Sequence, residues 1–368
     1  MDSALSLLVE RVRAALTDAR PVRLRGGGTK DFYGQALHGE VLETGTLSGI
    51  VLYEPSELVV TARAGTPLTD LQAMLAEQGQ WLAFDPPHFG PGATVGGMLA
   101  AGLSGPSRAS VGAVRDYVLG VQMLNGRAEL LQFGGQVMKN VAGYDVSRLL
   151  CGSLGTLGMV TEVSLKVLPR PLAQATLRFA IDQAGALKQL QRWAGQPLPL
   201  RASCWVRDAG QELLYVRLAG ARAAVDAAVR TMGGLQEDDA RMDADWVALR
   251  EQTLPFFALE ADQCLWRLSV PDTAPELPLP PEAQAELHEW GGALRWVKAP
   301  RSAMAALRAL ASNVGGSATL FRHAASPGLQ DTPVFQPLAE PLLRIHRALK
   351  QQFDPQGIFN PSRLYAGL

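Results

Sequence analysis

The sequence predicts an α+β protein with two domains and a C-terminal segment that returns to the first domain. Before Pro169, strand-like and helix-like runs of apolar residues alternate, which is typical of a mixed domain. Beyond Pro171, helices and strands form two similar halves, which predict an antiparallel sheet covered by helices on one face. Pro169 and Pro171 mark the first domain boundary, because prolines interrupt strands. We place the two domains at residues 1–170 and 171–333, and the C-terminal segment at 334–368.

The elements of the first domain follow from the spacing of apolar residues and from turn signals. Helices repeat every three to four residues, strands alternate, and Asn125-Gly126 is a strong hairpin signal. The predicted helices lie at 5–16, 66–79, 94–102 and 145–150. The predicted strands lie at 22–24, 47–53, 58–62, 117–124, 128–133 and 159–168.

The same patterns define the second domain and the C-terminal segment. The predicted helices lie at 182–194, 221–232, 243–252 and 301–312. The predicted strands lie at 201–207, 212–218, 265–270, 294–298 and 317–322. The proline-rich stretch 271–281 predicts a surface linker between the two halves. A last helix contains Leu342, Ile345 and Leu349, and we expect the residues after it to pack against the first domain.

Two glycine-rich loops carry the strongest functional signal. The first, Arg-Gly-Gly-Gly-Thr-Lys at 25–30, directly follows a predicted strand, and the second, Pro-Gly-Ala-Thr-Val-Gly-Gly at 91–97, opens a run of small residues. Successive glycines let backbone N–H groups converge on one anion. Together the loops predict a diphosphate cradle. Each loop alone is equally consistent with a plain turn, and the helix at 94–102 with a tightly packed buried helix.

The first loop matches neither common nucleotide fingerprint. Asp31 stands where the last glycine of G-x-G-x-x-G belongs, and the sequence has no Gly-Lys-Ser/Thr. These differences argue against a Rossmann site and against a P-loop site.

Composition excludes other classes. The 368 residues are 47% hydrophobic and 19% charged, with a formal net charge of −1, so no global attraction to nucleic acid is expected. Cys151, Cys204 and Cys264 are widely separated and predict reduced structural thiols rather than metal ligands. The amphipathic N-terminus does not match a signal peptide, and no stretch is long enough to span a bilayer, which predicts a cytoplasmic protein.

Ordered motifs across the chain resemble the vanillyl-alcohol-oxidase-type, or PCMH-type, FAD-binding proteins. The motifs are the two glycine loops, Arg-Asp-Tyr-Val-Leu-Gly at 115–120, the stretch at 152–162 and the ending at 353–361. Within this family the chain is most similar to the E subunits of bacterial three-subunit glycolate oxidases, notably at 139–145 and 315–322. The resemblance implies a PCMH-type FAD-binding fold with an antiparallel cap domain.

The resemblance also implies where FAD would lie. Residues 26–30 would hold the diphosphate, 94–97 would approach it and the ribityl chain from the opposite side, and 101–105 would run alongside the isoalloxazine. Gly155, Gly158 and Val160 would contact the adenine end. The implied cofactor-binding residues are Arg25, Gly26, Gly27, Gly28, Thr29, Lys30, Pro91, Gly92, Thr94, Val95, Gly96, Gly97, Ala101, Gly102, Ser104, Gly105, Gly155, Gly158 and Val160.

FAD is expected to be non-covalent, because Thr29 and Lys30 stand where covalently linked relatives place histidine. The sequence leaves two alternatives for Lys30: its side chain contacts a phosphate of FAD, or it is solvated. The sequence of residues 139–145 is equally consistent with two roles. These residues could face the flavin or a partner, or Asp145 could simply cap the helix that follows.

The histidines depart from the pattern implied for catalytic relatives, which carry clustered histidines and a glutamate in the substrate domain. Here the histidines are scattered, with no H-x-x-x-H, so the sequence identifies no catalytic residue and no metal site. Arg322 and His323 are candidates for binding a carboxylate, or alternatively for a partner contact or strand-end cap. His88 could reach the flavin or stabilise a turn. The five histidines are His38, His88, His288, His323 and His346.

The implied function is that of an FAD-bearing subunit of a glycolate oxidase that converts glycolate to glyoxylate. A catalytic flavoprotein subunit and an iron–sulfur subunit are the implied partners, with peripheral attachment to the inner membrane possible through them. Two alternatives stay open. The chain is either an autonomous FAD-dependent 2-hydroxy-acid or alcohol dehydrogenase, or a non-redox structural subunit that holds FAD.

Overall fold

A five-stranded antiparallel sheet forms the centre of the first part of the chain. The computed structural model describes residues 3–135, 145–208, 210–324 and 332–368. Within 3–135 and 145–169, the strands are β1 (Val22–Arg25), β2 (Glu40–Glu43), β3 (Ile50–Glu54), β4 (Val59–Arg63), β5 (Gln80–Trp81), β6 (Val118–Leu124), β7 (Leu130–Gly134), β8 (Met159–Lys166) and β9 (Leu168–Pro169). The α-helices there are α1 (Ser3–Thr17), α2 (Leu68–Glu77), α3 (Val95–Ala101), α4 (Arg108–Val111) and α5 (Val146–Leu149).

The strand order of this sheet is β3-β4-β8-β6-β7. Helices α2 and α3 cover it because their apolar faces, including Leu71, Leu75 and Leu99, share one core cluster with Val60 and Val163 of the sheet. Strands β1 and β2 form a separate parallel pair, and the first glycine loop begins at the end of β1. The first glycine loop is therefore attached to the β1–β2 pair and not to the five-stranded sheet.

An eight-stranded antiparallel sheet contains the strands that follow residue 172, in the order β13-β10-β12-β11-β15-β16-β14-β17. Its strands are β10 (Ala173–Ala180), β11 (Leu200–Asp208), β12 (Gln211–Gly220), β13 (Leu235–Gln236), β14 (Gln263–Ser269), β15 (Ala285–Glu289), β16 (Leu294–Pro300) and β17 (Ser317–His323). The helices after residue 172 are α6 (Gln183–Ala194), α7 (Arg222–Met232), α8 (Asp239–Glu251), α9 (Met304–Asn313) and α10 (Glu340–Phe353).

Helices cover both faces of this sheet, so the prediction of helices on one face was wrong. Helices α6, α7 and α9 pack on one face, whereas α8 packs on the other through Met242, Trp246 and Leu249. The reason is that alternate residues of the central strands are apolar on both sides, as Trp296 and Val297 of β16 illustrate. The core cluster between α8 and the sheet also includes Ala101 of the first part of the chain. This cluster joins the two sheets.

The predicted helices and strands were largely confirmed, and the misses have physical causes. The predicted strand at 47–53 begins only at Ile50, and the strands β2, β5, β10, β13 and β15 and the short helix α4 were missed. Strand β15, Ala-Glu-Leu-His-Glu, lies inside the sheet with His288 and Glu289 buried, so it shows no apolar alternation that a sequence pattern could detect.

A buried ion pair anchors the C-terminal segment. The Lys350 ammonium donates to Asp354 Oδ2 at 2.7 Å, to the Phe359 carbonyl at 2.9 Å and to the Thr156 carbonyl at 2.7 Å. Asp354 Oδ2 also accepts the Phe359 N–H at 2.8 Å. Residues 358–360 then hydrogen-bond with Val22 of β1, through Val22 N to the Ile358 carbonyl at 2.7 Å. The end of the chain is thereby fixed beside the first glycine loop.

Asp354→Ala should lower the free energy of unfolding by about 3–5 kcal/mol, because it leaves the buried Lys350 ammonium without its counterion. Urea unfolding measures the change. The control is Glu340→Ala on the same helix, which removes an exposed pair with Arg347 at 3.8 Å and should cost less than about 1 kcal/mol. Equal losses for the two variants would contradict the anchoring role.

Candidate functional site

A cleft lies where the first glycine loop, α3, the start of β8 and the C-terminal segment meet. Its volume is about 120 Å³, and it opens to solvent. Most of the residues that sequence analysis proposed for FAD line it: Arg25, Gly26, Gly27, Gly28, Thr29, Lys30, Thr94, Gly96, Gly97, Ala101, Gly155, Gly158 and Val160.

The other proposed residues lie near the cleft without lining it. Gly92 packs beneath the first loop, Val95 is buried in the core, and Gly102 ends α3 with a φ of 62°. Ser104 and Gly105 line a second, smaller cavity. Pro91, beside Gly92, is exposed and does not line the cleft.

Several lining residues were not predicted; Leu24, Asp31 and Ala100 adjoin predicted residues, and others come from distant segments. The missed lining residues are Leu24, Asp31, Leu37, Thr44, Ala64, Ala100, Ser153, Leu154, Met159, Asn360 and Arg363. Four of them carried a signal: Ser153, Leu154 and Met159 belong to the recognised stretch at 152–162, and Asn360 belongs to the recognised ending at 353–361. Its amide joins three segments: Oδ1 accepts the Leu24 N–H at 2.8 Å, and Nδ2 donates to the Leu154 carbonyl at 2.6 Å.

The two glycine loops touch backbone to backbone. A Cβ added at Gly27 would lie 1.5 Å from the Gly92 carbonyl oxygen, and one added at Gly26 would lie 2.4 Å from Thr94 Oγ1. At Gly96 an added Cβ would lie 2.8 Å from the Ala64 side chain. No side chain fits at these positions, so the wall of the cleft is bare backbone. Bare backbone is what a cradle for a phosphate-bearing cofactor requires.

Positive side chains surround the loop. Burial lowers the pKa of Lys30 to about 8, while its ammonium donates to the His88 carbonyl at 3.0 Å. Burial also lowers the pKa of Arg363 to about 10, and Arg363 Nη2 donates to the Asp31 carbonyl at 2.8 Å. The Asp31 carboxylate pairs with Arg23 and, at 3.1 Å, with Arg25 Nε, which raises the pKa of Arg25. The lining therefore suits an anionic, phosphate-bearing group such as FAD.

A second, smaller cavity of about 20 Å³ lies between residues 87–106 and the eight-stranded sheet, which is space for about one water molecule. Ser104 and Gly105 line it on one side, and Arg267 and Glu289 on the other. The Ser104 hydroxyl is buried without a hydrogen-bond partner in the described part of the chain. Such an orphaned group indicates a bound water or ligand atom.

Glu289 is the carboxyl group that lines this cavity. It is 4% exposed, and Oε1 accepts the Trp296 indole N–H at 2.7 Å. Burial raises the pKa of Glu289 to about 7, with Asp85 adding to the rise and Arg267 opposing it. Glu289 carries no signal in the sequence, because β15 shows no pattern that marks it as buried.

The earlier candidates for a substrate site have mostly structural contacts. The Arg322 guanidinium stacks on Phe32, 4.5 Å from the ring centroid, and on Phe89, and no carboxylate of the described residues pairs with it. The His323 ring is exposed and hydrogen-bonds the Ala324 carbonyl at 2.9 Å. Burial lowers the pKa of His88, whose backbone N–H donates to Glu251.

Residues 139–144 of the motif at 139–145 lie outside the described residues. Asp145 is described, and its carboxylate accepts the Arg148 N–H at 3.2 Å as the cap of α5. Across the described ranges, no three His, Cys, Asp or Glu side chains cluster in a way that could hold a metal ion. No described helix is both long and apolar enough to cross a bilayer.

Comparison with known proteins agrees with the geometry. Residues 6–134 match the family model of the FAD binding domain. A solved structure of alkyldihydroxyacetonephosphate synthase has the same fold, with a TM-score of 0.65 and 15% identity over 97% of this chain and 75% of that one. Residues 6–134 therefore form an FAD-binding domain.

Similarity over the full length identifies the family more closely. The chain is 46% identical to glycolate oxidase subunit GlcE of Escherichia coli over 361 residues, which is 98% of this chain and 97% of that protein. It is 30% identical to glycolate oxidase subunit GlcD of Bacillus subtilis over 49% of this chain and 39% of that one. The chain belongs to the family of glycolate oxidase subunit GlcE.

Gly27→Ala should abolish FAD retention, because the added methyl group overlaps the Gly92 carbonyl and forces the two loops apart. The FAD absorbance of the purified protein per mole of chain measures it. Gly45→Ala is the matched control, since an added Cβ there meets nothing within 4 Å, and it should keep its FAD. Full FAD content in both variants would show that the loop contact does not shape the site.

Glu289→Gln should change how stability depends on pH. The folded-state pKa of about 7 lies above the ordinary value of 4.5, so the folded state holds the proton more tightly and this group's contribution declines as pH rises from about 4.5 to 7. The variant cannot lose a proton and should gain up to about 3 kcal/mol relative to wild type between pH 5 and pH 8. Urea unfolding at both pH values tests this, and a constant difference would contradict the raised pKa.

Proposed function

We propose that this chain is the FAD-binding subunit of a multi-subunit glycolate oxidase, which oxidises glycolate to glyoxylate. The observation that carries the proposal is 46% identity to glycolate oxidase subunit GlcE over nearly the whole of both chains. Further support comes from matches to glycolate oxidase subunit GlcD and to a D-lactate dehydrogenase of Archaeoglobus fulgidus, 35% identical over 41% of this chain and 34% of that one. The names of these relatives state that they act on 2-hydroxy acids, glycolate or D-lactate.

The division of labour within the chain is part of the proposal. Residues 1–170 and 334–368 hold FAD in the cleft, with Gly26, Gly27 and Lys30 at the diphosphate, and residues 171–333 form the cap. FAD supplies a two-electron acceptor when bound. The protein positions it through backbone N–H groups.

Aromatic side chains fill the space in which a substrate would lie against the flavin. Phe321 of β17 contacts Trp296, with ring centroids 4.8 Å apart, and also Phe32 at 5.6 Å and Phe89 at 6.3 Å. The space beside Ser104, about 20 Å³, suits one water molecule and is too small for glycolate. This packing favours a subunit that supports or relays electron transfer while a partner flavoprotein oxidises the substrate.

The proposal extends to partners and location. A catalytic flavoprotein subunit and an iron–sulfur subunit complete the complex, which lies in the cytoplasm and attaches peripherally to the inner membrane through its partners. A second candidate, an autonomous FAD-dependent 2-hydroxy-acid dehydrogenase, is favoured by one observation. Glu289 combines burial, a pKa of about 7 and a place in the cavity beside Ser104, which are the properties of a general base.

An anaerobic visible spectrum separates these functions. Glycolate should leave the flavin of the isolated chain oxidised and should bleach it in the co-expressed complex, with D-lactate as the comparison substrate. A complex built with Gly27→Ala reports the flavin of the companion subunit alone. If wild-type and Gly27→Ala complexes bleach equal amounts of flavin, the FAD of this chain is structural rather than a relay. Bleaching of the isolated chain by glycolate would overturn the proposal in favour of the autonomous dehydrogenase.

A further inference from the structure

A separate cavity lies between α8 and the eight-stranded sheet, and we call it the α8 cavity. Its volume is about 460 Å³, within the range of small-molecule sites. Its walls are α8, residues 254–256 and strands β11, β12, β15 and β16. It shares no lining residue with the FAD cleft. The cavity is open to solvent on one side, so a ligand can enter it.

The inner surface of the α8 cavity is apolar and rich in aromatic rings. Met242, Trp246 and Leu287 line it and are at most 6% exposed, so its depth is well shielded from water. Tyr215 and Phe256 add two further rings to the lining. Aromatic side chains offer flat faces on which a planar ring stacks favourably. This surface suits a flat apolar body.

The rim of the α8 cavity is cationic. Arg207 and Arg241 line it, but Glu212 pairs with Arg207, and Asp245 lies 3.9 Å from Arg241. Lys298 of β16 differs, because no carboxylate in the described ranges forms an ion pair with it. Its ammonium donates to the Ala258 carbonyl at 3.1 Å and lies 5.5 Å from the centroid of the Phe256 ring. One unpaired positive charge thus stands beside the aromatic wall.

We propose that the α8 cavity binds an aromatic carboxylate, whose ring lies against Trp246 and Phe256 and whose carboxylate pairs with Lys298. The charge selects an anion, the rings select a planar body, and the volume limits the ligand to small-molecule size. Trp246 donates its indole N–H to Thr176 Oγ1 at 3.0 Å, outside the cavity lining, so that indole offers the ligand its apolar surface. The site is independent of the proposed oxidase function.

Fluorescence titration of the FAD-loaded full chain with anilinonaphthalene sulfonate tests the site, because the probe combines a flat apolar body with an anionic group. We expect saturable binding with one probe per chain, displaced by naphthoate. Naphthylmethanol, the neutral analogue, should displace it less well, because only naphthoate carries the charge that pairs with Lys298. Loading with FAD keeps the probe out of the cofactor cleft.

Two variants decide whether the probe lies in the α8 cavity. Ala285 lines the cavity beside Lys298 on the neighbouring strand, so Ala285→Phe fills the space and should weaken probe binding by at least about tenfold. Lys298→Met should weaken naphthoate binding by about tenfold and leave naphthylmethanol unchanged, since only the charge is lost. Lys188→Met, on the exposed side of α6, is the control and should change neither.

Unchanged naphthoate binding in Lys298→Met, or absence of probe binding to the wild type, overturns the proposal. The FAD spectrum and the unfolding midpoint of each variant show whether it is folded. If Ala285→Phe does not fold, Lys298→Met alone decides. Failure here leaves the glycolate experiment untouched, because FAD reduction is measured at the other cleft.

Discussion

The contact between Gly27 and Gly92 is the constraint on which the cofactor cleft depends. The two loops lie more than sixty residues apart in sequence, yet a single methyl group at Gly27 would overlap the Gly92 carbonyl. Because the loops meet through backbone alone, their outer surfaces remain free for an anion. Strand β1 fixes the first loop and helix α3 fixes the second, so the geometry of the cradle follows from the fold of the whole first sheet region.

The end of the chain completes this cleft. The buried Lys350–Asp354 pair holds the turn at 354–359, and the next residue, Asn360, bridges β1 to Leu154. A charge pair buried in this way costs desolvation and is retained where a specific arrangement matters, which is our hypothesis for the segment. Arg363 then brings a second buried cation to the cleft beside Lys30. FAD binding and the folding of the C-terminal segment are therefore expected to be coupled.

Sequence patterns recovered what is local and lost what depends on tertiary contacts. The glycine loops and the turn at Asn125-Gly126 could be predicted directly, because backbone geometry dictates those residue types. Glu289 could not, since its role arises from a polar strand buried at the centre of a sheet. Arg363 likewise reaches the cleft only through the returning segment. The α8 cavity could not be predicted either, because α8 was expected on the same face of the sheet as the other helices.

Hydrogen–deuterium exchange, compared between the chain without FAD and the chain loaded with it, tests the central claim most directly. The cradle predicts slower amide exchange on FAD binding at residues 26–30, 94–101 and 153–160, and in the C-terminal residues around Asn360. Helix α7, on the far side of the eight-stranded sheet, should exchange at an unchanged rate. Protection confined to other segments, or unchanged exchange at 26–30, would contradict the assignment of the glycine loops to FAD.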